Sequence, residues 1–403
     1  LAFRATIVSK VVPVEPAPHG GARVLAEHCR ALSRLGAEVT VIAPDEARNT
    51  EAVPGDLCEV ALYSQPRQAG NGLALLRDKA RSVWFPGEAP VSEMASFAAS
   101  RDVCDAVQRA DYLEFSWVEN AGLVKAARSI GATAPTGLFC HDVLTQRYRR
   151  EFDAERNPAV RAARWVRWSR SIRRQTAVYG AADVVWVLSD KDQAVLSAGL
   201  SSRTRVLPPA VADSGFWSAR LAARREKPVV VFVGALSRSE NADGLVWFVE
   251  HCWPLVLRSV PDAELQIVGS GADALPSEVG LAENARLLGF VDDLGDVYAH
   301  ASVAVAPLLR GAGVKIKAVE TMCADVPSVG TEVGMEGIPW AGVRDLTRNS
   351  APSLAKLIAT ILHNPDDAER TARDAGQWAR EYFSRDSYDA RLARGLHAIG
   401  LNV

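Results

Sequence analysis

Two successive α/β halves, each a parallel sheet layered with helices, are the architecture this sequence predicts, and three observations carry the prediction. Short apolar runs alternate with longer amphipathic segments along the chain, the pattern of strands and helices taking turns. The alternation halts at Val206-Leu-Pro-Pro-Ala210 and begins again at Pro228. At 403 residues the chain is long for one domain and comfortable for two.

Taken in order, residues 3–9 read as the opening strand. A loop with Pro18-His-Gly-Gly21 follows, then a helix from Ala22 to about Leu35, closed by Gly36. Residues 39–43 are the next strand, and the stretch through Gly87 carries proline, glycine and charge without a clear period. Residues 112–116 and 136–140 are later strands, each ending in polar residues, and residues 184–188 complete the first half. Consecutive prolines hold an extended connector and cannot continue a helix, so the domain boundary is expected at 208. Strands over 228–234, 263–269, 286–290, 303–307 and 327–330, with a helix beginning near Asn241, form the second half, and the chain is helical from Ala351 on. The expected domains are 1–208 and 209–385, with a final helix over 386–403.

A net charge of −2 argues against nucleic acid as the main partner, because no uniform basic field exists to hold it. The arginines cluster in Gln146-Arg-Tyr-Arg-Arg150 and from Arg161 to Arg174, where Trp165 and Trp168 interleave with them. Such a segment is either a solvated helix face whose tryptophans dock on the body or an amphipathic surface that meets anionic lipid. No apolar run is long enough to span a bilayer, and the N-terminus lacks a signal-peptide pattern. The six cysteines show neither C-x-x-C nor metal-type spacing. A cytoplasmic location is expected, with peripheral contact at the inner membrane face left open.

The chemistry concentrates in Arg310-Gly-Ala-Gly-Val-Lys-Ile-Lys317-Ala-Val-Glu320, where a buried strand gives way to a helix. Ligands bind at that edge of an open α/β sheet, and a helix N-terminus there offers unpaired N–H groups and a positive dipole to phosphate. Glycines let a diphosphate approach the backbone. Lys317 and Glu320 share a helix face, which is equally the arrangement of a surface ion pair contributing about 0.2–0.5 kcal/mol. His141 and Asp142 end a predicted strand. Cys140-His141-Asp142 is no nucleophile triad, because successive strand side chains point to opposite faces. Glu119, Asn120 and the arginines from 147 to 150 are weaker sites, and Glu336 either touches a ligand or caps its turn.

The second half resembles glycosyltransferase family 4 in an ordered series of blocks. They are Val-Gly234, Asn241, Leu-Gln-Ile-Val-Gly269, Gly-Phe-Val-Asp-Asp293, Val-Ala-Pro307, the segment 311–320, Val-Pro-Ser-Val-Gly-Thr331 and Gly-Met-Glu-Gly337. A weaker likeness runs through Pro-His-Gly-Gly21, Gly-Ala-Glu-Val-Thr-Val-Ile-Ala43, Cys-His-Asp142 and Ala-Asp-Val-Val-Trp-Val-Leu-Ser189. The resemblance implies the GT-B fold, two Rossmann-like domains facing a cleft with a C-terminal helix crossing back. It also implies retaining transfer from a nucleoside-diphosphate sugar, which is the donor substrate, with no bound metal or other cofactor. By the same resemblance Glu320 takes the ribose hydroxyls, Gly20 and Gly21 belong to the loop near the diphosphate, and His141 lies near the reacting centre.

Two departures bear on the donor. Many relatives carry a pair of glutamates with seven residues between them, and the first falls at Ala312. Many also carry an arginine after the first glycine of the second domain and a lysine soon after, where this chain has Ala235 and then Glu240 and Asn241. The phosphate charge is then left to Lys315, Lys317 and Arg238. The expected site is His141 and Asp142 for catalysis, with Gly20, Gly21, Arg238, Gly311, Gly313, Lys315, Lys317 and Glu320 for the nucleotide sugar. The expected activity is transfer to a hydroxyl of a glycan, lipid-linked or natural-product acceptor. The alternatives are a non-catalytic sugar-nucleotide scaffold or sensor and a GT-B-fold epimerase.

Overall fold

The computed structural model describes residues 2–15, 20–64, 84, 89–196, 198–211, 227–275, 279 and 282–403. The chain divides into two compact units, one of residues 1–208 with 388–403, the other of residues 209–387.

The first unit is built on seven parallel strands in the order β3-β2-β1-β4-β5-β6-β7. They are β1 (Phe3–Val8), β2 (Ala37–Pro44), β3 (Glu59–Tyr63), β4 (Tyr112–Ser116), β5 (Thr136–Cys140), β6 (Val184–Val187) and β7 (Thr204–Val206). All residues of β4, β5 and β6 are buried, as expected of central parallel strands covered on both faces. Two strands escape the periodicity. Glu59 and Val60 at the start of β3 are exposed because β3 is a sheet edge, which breaks the buried run that marks the central strands. β7 is three residues long and runs straight into the Pro208-Pro209 connector at the opposite edge.

A buried polar chain ties the C-terminal helix Arg385–His397 into this unit. His28, on the helix Gly20–Arg34, lies 2.7 Å through Nδ1 from the Tyr388 hydroxyl and 3.1 Å through Nε2 from Glu114 Oε2 on β4. The Tyr112 hydroxyl donates to the same carboxylate at 2.9 Å and accepts from the Trp186 indole at 3.0 Å. Glu114 is fully buried, so each bond substitutes for lost water. Gly137 is required beside this chain, since a Cβ there would overlap the Tyr112 hydroxyl.

The second unit has five parallel strands in the order β10-β9-β8-β11-β12. They are β8 (Val229–Val233), β9 (Glu264–Val268), β10 (Ala285–Gly289), β11 (Val303–Ala306) and β12 (Ser328–Gly330). Val303 faces Val230 and Ala304 faces Val231 across the central pair. One core joins Val230, Phe232, Leu265 and Ile267 to Trp253 and the helix Ala351–His363, and another packs Ala375, Ala379 and Phe383 against the helix Ile316–Cys323. Among the described residues no helix is long and apolar enough to cross a membrane.

Candidate functional site

In the second unit the connection leaving β8 runs toward β9, whereas the one leaving β11 runs the other way toward β12. The carboxyl ends of β8 and β11 therefore flank a topological switch point, where an open parallel sheet leaves room for a ligand. Gly234 follows β8, and a Cβ on it would come within 3.1 Å of both the Asn241 amide nitrogen and the Lys317 ammonium. Asn241 sits on the helix Ser239–Trp247. Its amide donates to the Ala235 carbonyl at 2.8 Å, while its oxygen accepts from Lys317 Nζ, also at 2.8 Å.

Lys317 is the second residue of the helix Ile316–Cys323, and its ammonium also lies 4.5 Å from the centroid of the Phe232 ring. Burial, then the like charges of Lys315 and Arg238, lowers its pKa from 10.5 to about 7. Lys315 is committed differently. Its ammonium donates to the carbonyls of Ala312 at 3.1 Å and Gly313 at 2.6 Å and lies 3.6 Å from the Glu336 carboxylate. It thus braces from within the loop in which Gly311 and Gly313 take φ of 120° and 74°, conformations that other residues seldom adopt. Arg310 pairs with Asp243, fastening the same loop to the neighbouring helix.

Arg238, which precedes the helix Ser239–Trp247, stands in solvent 3.9 Å from Glu240. Glu320 is buried on the same helix, three residues after Lys317. Together these groups place a helix N-terminus, glycine backbone and three cations at one sheet edge, with a carboxylate one turn deeper. That is the chemistry of an anion site beside an acceptor for hydroxyl groups. Glu336, left open between ligand contact and turn cap, is a buried counter-charge to Lys315.

In the first unit the switch point lies between β1 and β4. Gly20 and Gly21 open the helix Gly20–Arg34 that follows β1, so they form its first turn, while Pro18 and His19 lie outside the described residues. His141 directly follows β5. Its Nε2 is 3.2 Å from Ser116 Oγ, and its ring stacks on Trp117 with centroids 4.2 Å apart and planes at 21°. Trp117 holds a φ of 68°, unusual for a bulky residue, with its N–H donating to the Phe139 carbonyl at 2.9 Å. Backbone strain of this kind persists where surrounding structure over-determines it, and it collects at ligand sites.

Asp142 and Glu119 share one guanidinium: Arg147 donates to Asp142 Oδ2 at 3.1 Å and to Glu119 Oε1 at 2.8 Å, and Lys10 lies 3.2 Å from Glu119. Burial pushes the Glu119 carboxyl up, but Arg147 and Lys10 outweigh it and hold the pKa down at about 2. For Asp142 burial wins over Arg147, aided by the Glu119 charge, and the pKa is raised. Asn120 donates to the Ser116 carbonyl at 2.8 Å and stitches the end of β4, a structural task. Lys10 and Trp117 escaped the sequence reading, although each lies just past a strand that ends at this edge. Among the described residues no group of three or more His, Cys, Asp or Glu is placed to hold a metal ion.

Residues 227–364 match the family described as Glycosyl transferases group 1. An uncharacterized 44.6 kDa protein in the cps region of Klebsiella pneumoniae is 31% identical over 171 residues, which are 40% of this chain and 43% of that protein. The match thus spans less than half the length of that relative. Among solved structures, Anabaena HepE in complex with UDP and glucose aligns over 98% of this chain and 100% of its own, with 17% identity and a TM-score of 0.62. A UDP-forming α,α-trehalose-phosphate synthase from Burkholderia xenovorans aligns over the whole of both chains with 12% identity and a TM-score of 0.65. The chain has the mixed α/β fold of GT-B glycosyltransferase structures, and the group 1 match falls on its second unit.

Proposed function

We propose that this protein is a retaining glycosyltransferase that moves a sugar from a nucleoside-diphosphate sugar to a hydroxyl acceptor without a bound metal. The observation that carries the reading is the switch-point arrangement of Gly234, Asn241, Lys317 and Glu320, all inside the segment that matches the group 1 family. In this reading Glu320 accepts the ribose hydroxyls, since a carboxylate offers two acceptor oxygens to a vicinal diol. Lys317, Arg238 and the backbone at Gly311 and Gly313 take the diphosphate, with Lys315 holding the loop in shape. The leaving diphosphate then gains its charge stabilisation from fixed cations and N–H groups. The binding of UDP and glucose by HepE makes UDP-sugars the first donors to test.

The acceptor belongs to the first unit, where His141 is the group nearest the reacting hydroxyl and Asp142 is held beside it by Arg147. Gly20 and Gly21 bring a helix N-terminus to the same edge. Glu119 Oε2, buried and without a hydrogen-bond partner among the described residues, is a further acceptor for a substrate hydroxyl. The working compartment in this reading is the reducing cytoplasm, in keeping with six free cysteines.

The test is calorimetry with UDP, GDP and dTDP, followed by turnover of the matching nucleotide sugar against an acceptor panel. The product's anomeric configuration is read by NMR, and the reaction is repeated with a chelator. Retained configuration and chelator-insensitive turnover are expected. Tight nucleotide binding with neither transfer nor hydrolysis would replace the enzyme reading by that of a sugar-nucleotide sensor.

A further inference from the structure

The helix Pro158–Tyr179 carries Trp165, Trp168 and Ile172 at i, i+3 and i+7, on one stripe. Toward the helix Leu144–Ala154, Trp168 stacks on Phe152 with centroids 5.8 Å apart, Arg149 covers Trp168 and Arg167 covers the Tyr148 ring at 4.0 Å. Trp165 and Ile172 do not join that packing. They are 53% and 51% exposed, and a spacing of seven residues sets them two turns apart on one line of the helix. Arg161, one turn before Trp165, and Arg173, next to Ile172, are exposed and flank the pair, with the Arg161 guanidinium also 4.7 Å from the centroid of the Phe152 ring.

The charge around this line is lopsided. Between Leu144 and Tyr179 there are ten arginines against three carboxylates, in a chain whose net charge is −2. Each of those carboxylates is already taken: Glu151 by Arg167, Asp153 by Arg149 and Glu155 by Arg164. Arg156, Arg161 and Arg173 have no carboxylate partner among the described residues. A positive field with an exposed tryptophan and isoleucine at its centre is therefore left unmatched.

We infer that the exposed part of this stripe docks on an anionic lipid bilayer, with Trp165 and Ile172 entering the headgroup region and the flanking Arg161 and Arg173 reaching lipid phosphates. Tryptophan suits that depth because its ring is apolar and its N–H finds a polar partner, while arginine stems lie along apolar surface and keep the charge in water. A soluble polyanion would use the arginines equally well but would leave the two apolar side chains in water. The exposed pair thus selects the bilayer over a free polyanion. The inference is independent of the transferase reading, since it uses none of the residues assigned to donor or acceptor.

The test is sedimentation of the full chain with phosphatidylcholine vesicles, with and without phosphatidylglycerol, at low and high salt. Salt-sensitive binding to the anionic vesicles is expected, with little to the neutral ones. Trp165→Ser with Ile172→Ser should lower the partition coefficient roughly tenfold, because the apolar area that inserts is gone. Arg161→Gln and Arg173→Gln should each lower it about fivefold. All four side chains are exposed and Arg161 gives up only its contact with the Phe152 ring, so unchanged circular dichroism and a Tm within a few degrees are expected as the folding control. The inference fails if the wild-type chain ignores anionic vesicles, if it binds neutral vesicles equally, or if the Trp165/Ile172 variant binds as the wild type does. It also fails if inorganic polyphosphate competes fully and the apolar substitutions change nothing.

Discussion

Lys317 reaches from the helix after β11 to donate to Asn241 on the helix after β8, so one 2.8 Å hydrogen bond closes the switch point of the second sheet. The amide of Asn241 stands in the region where many relatives carry a lysine, and the lysine comes from the opposite side. Under this arrangement Lys317→Ala should keep nucleoside affinity within a few-fold and erase most of the preference for the diphosphate form. Lys315→Ala should instead loosen the loop that Lys315 braces and weaken nucleoside and diphosphate together. Calorimetry with uridine and UDP, or whichever base binds, separates the two. An unchanged diphosphate-to-nucleoside ratio in Lys317→Ala would remove that ammonium from the phosphate site.

The depressed pKa of Lys317 gives donor binding a pH dependence. With a value of about 7, the free protein sheds this proton as pH rises through neutrality. A bound diphosphate favours the charged form, so affinity should be greatest below about 7 and fall by up to tenfold per pH unit above it. A nucleotide sugar is the proper probe, because its doubly esterified diphosphate does not titrate near neutrality. Lys317→Ala should flatten the profile. Stability of the unliganded protein moves the opposite way. Between about 7 and 10.5 the unfolded chain holds a proton that the folded chain has lost, so stability rises with pH across that window.

Glu320→Ala should weaken nucleotide binding about tenfold to a hundredfold, from roughly 1.5–3 kcal/mol of lost hydrogen bonds to a charged group. The carboxylate is buried, so Glu320→Gln serves as the companion that preserves its volume. Isothermal titration of both folded variants decides the matter, and wild-type affinity in both would leave Glu320 as a core residue.

His141→Ala is expected to lower kcat substantially while leaving nucleotide affinity within a few-fold, because interactions made mainly in the transition state act on turnover. Its ring is held by the Trp117 stack and the Ser116 hydroxyl. Trp117→Ala should therefore reproduce part of the kcat loss through the histidine's orientation. Steady-state kinetics with near-normal kcat in His141→Ala would make it a cap of β5 and move attention to Glu119 and Asp142.

Tyr388→Phe removes the hydroxyl that meets His28 Nδ1 at 2.7 Å in a fully enclosed site. Leaving a buried polar atom unpaired costs about 1–3 kcal/mol. Urea denaturation should show that loss of stability, and an unchanged midpoint would mean that His28 finds another partner. The substitution lies away from both sheet edges assigned to substrate, so nucleotide affinity in the folded protein should not change.

By itself the sequence determined the order of strands and helices and the edge on which the chemistry collects. Those properties are local: apolar runs mark central strands such as β8 and β11, and glycine, lysine and histidine just beyond them mark the edge proposed for the ligand. Where a segment's local pattern was weak, as in the charged edge strand β3 or the three-residue β7, its place was not legible. Tertiary structure alone decided that Lys315 braces its own loop while Lys317 meets Asn241, and that Arg147 joins Glu119 to Asp142. It also decided that Trp168 packs inward while Trp165 stays exposed. Such pairings join residues far apart in the chain, as Tyr388 and His28 are. They follow from sheet order and from which groups burial leaves without water, neither of which is written in the period of the sequence.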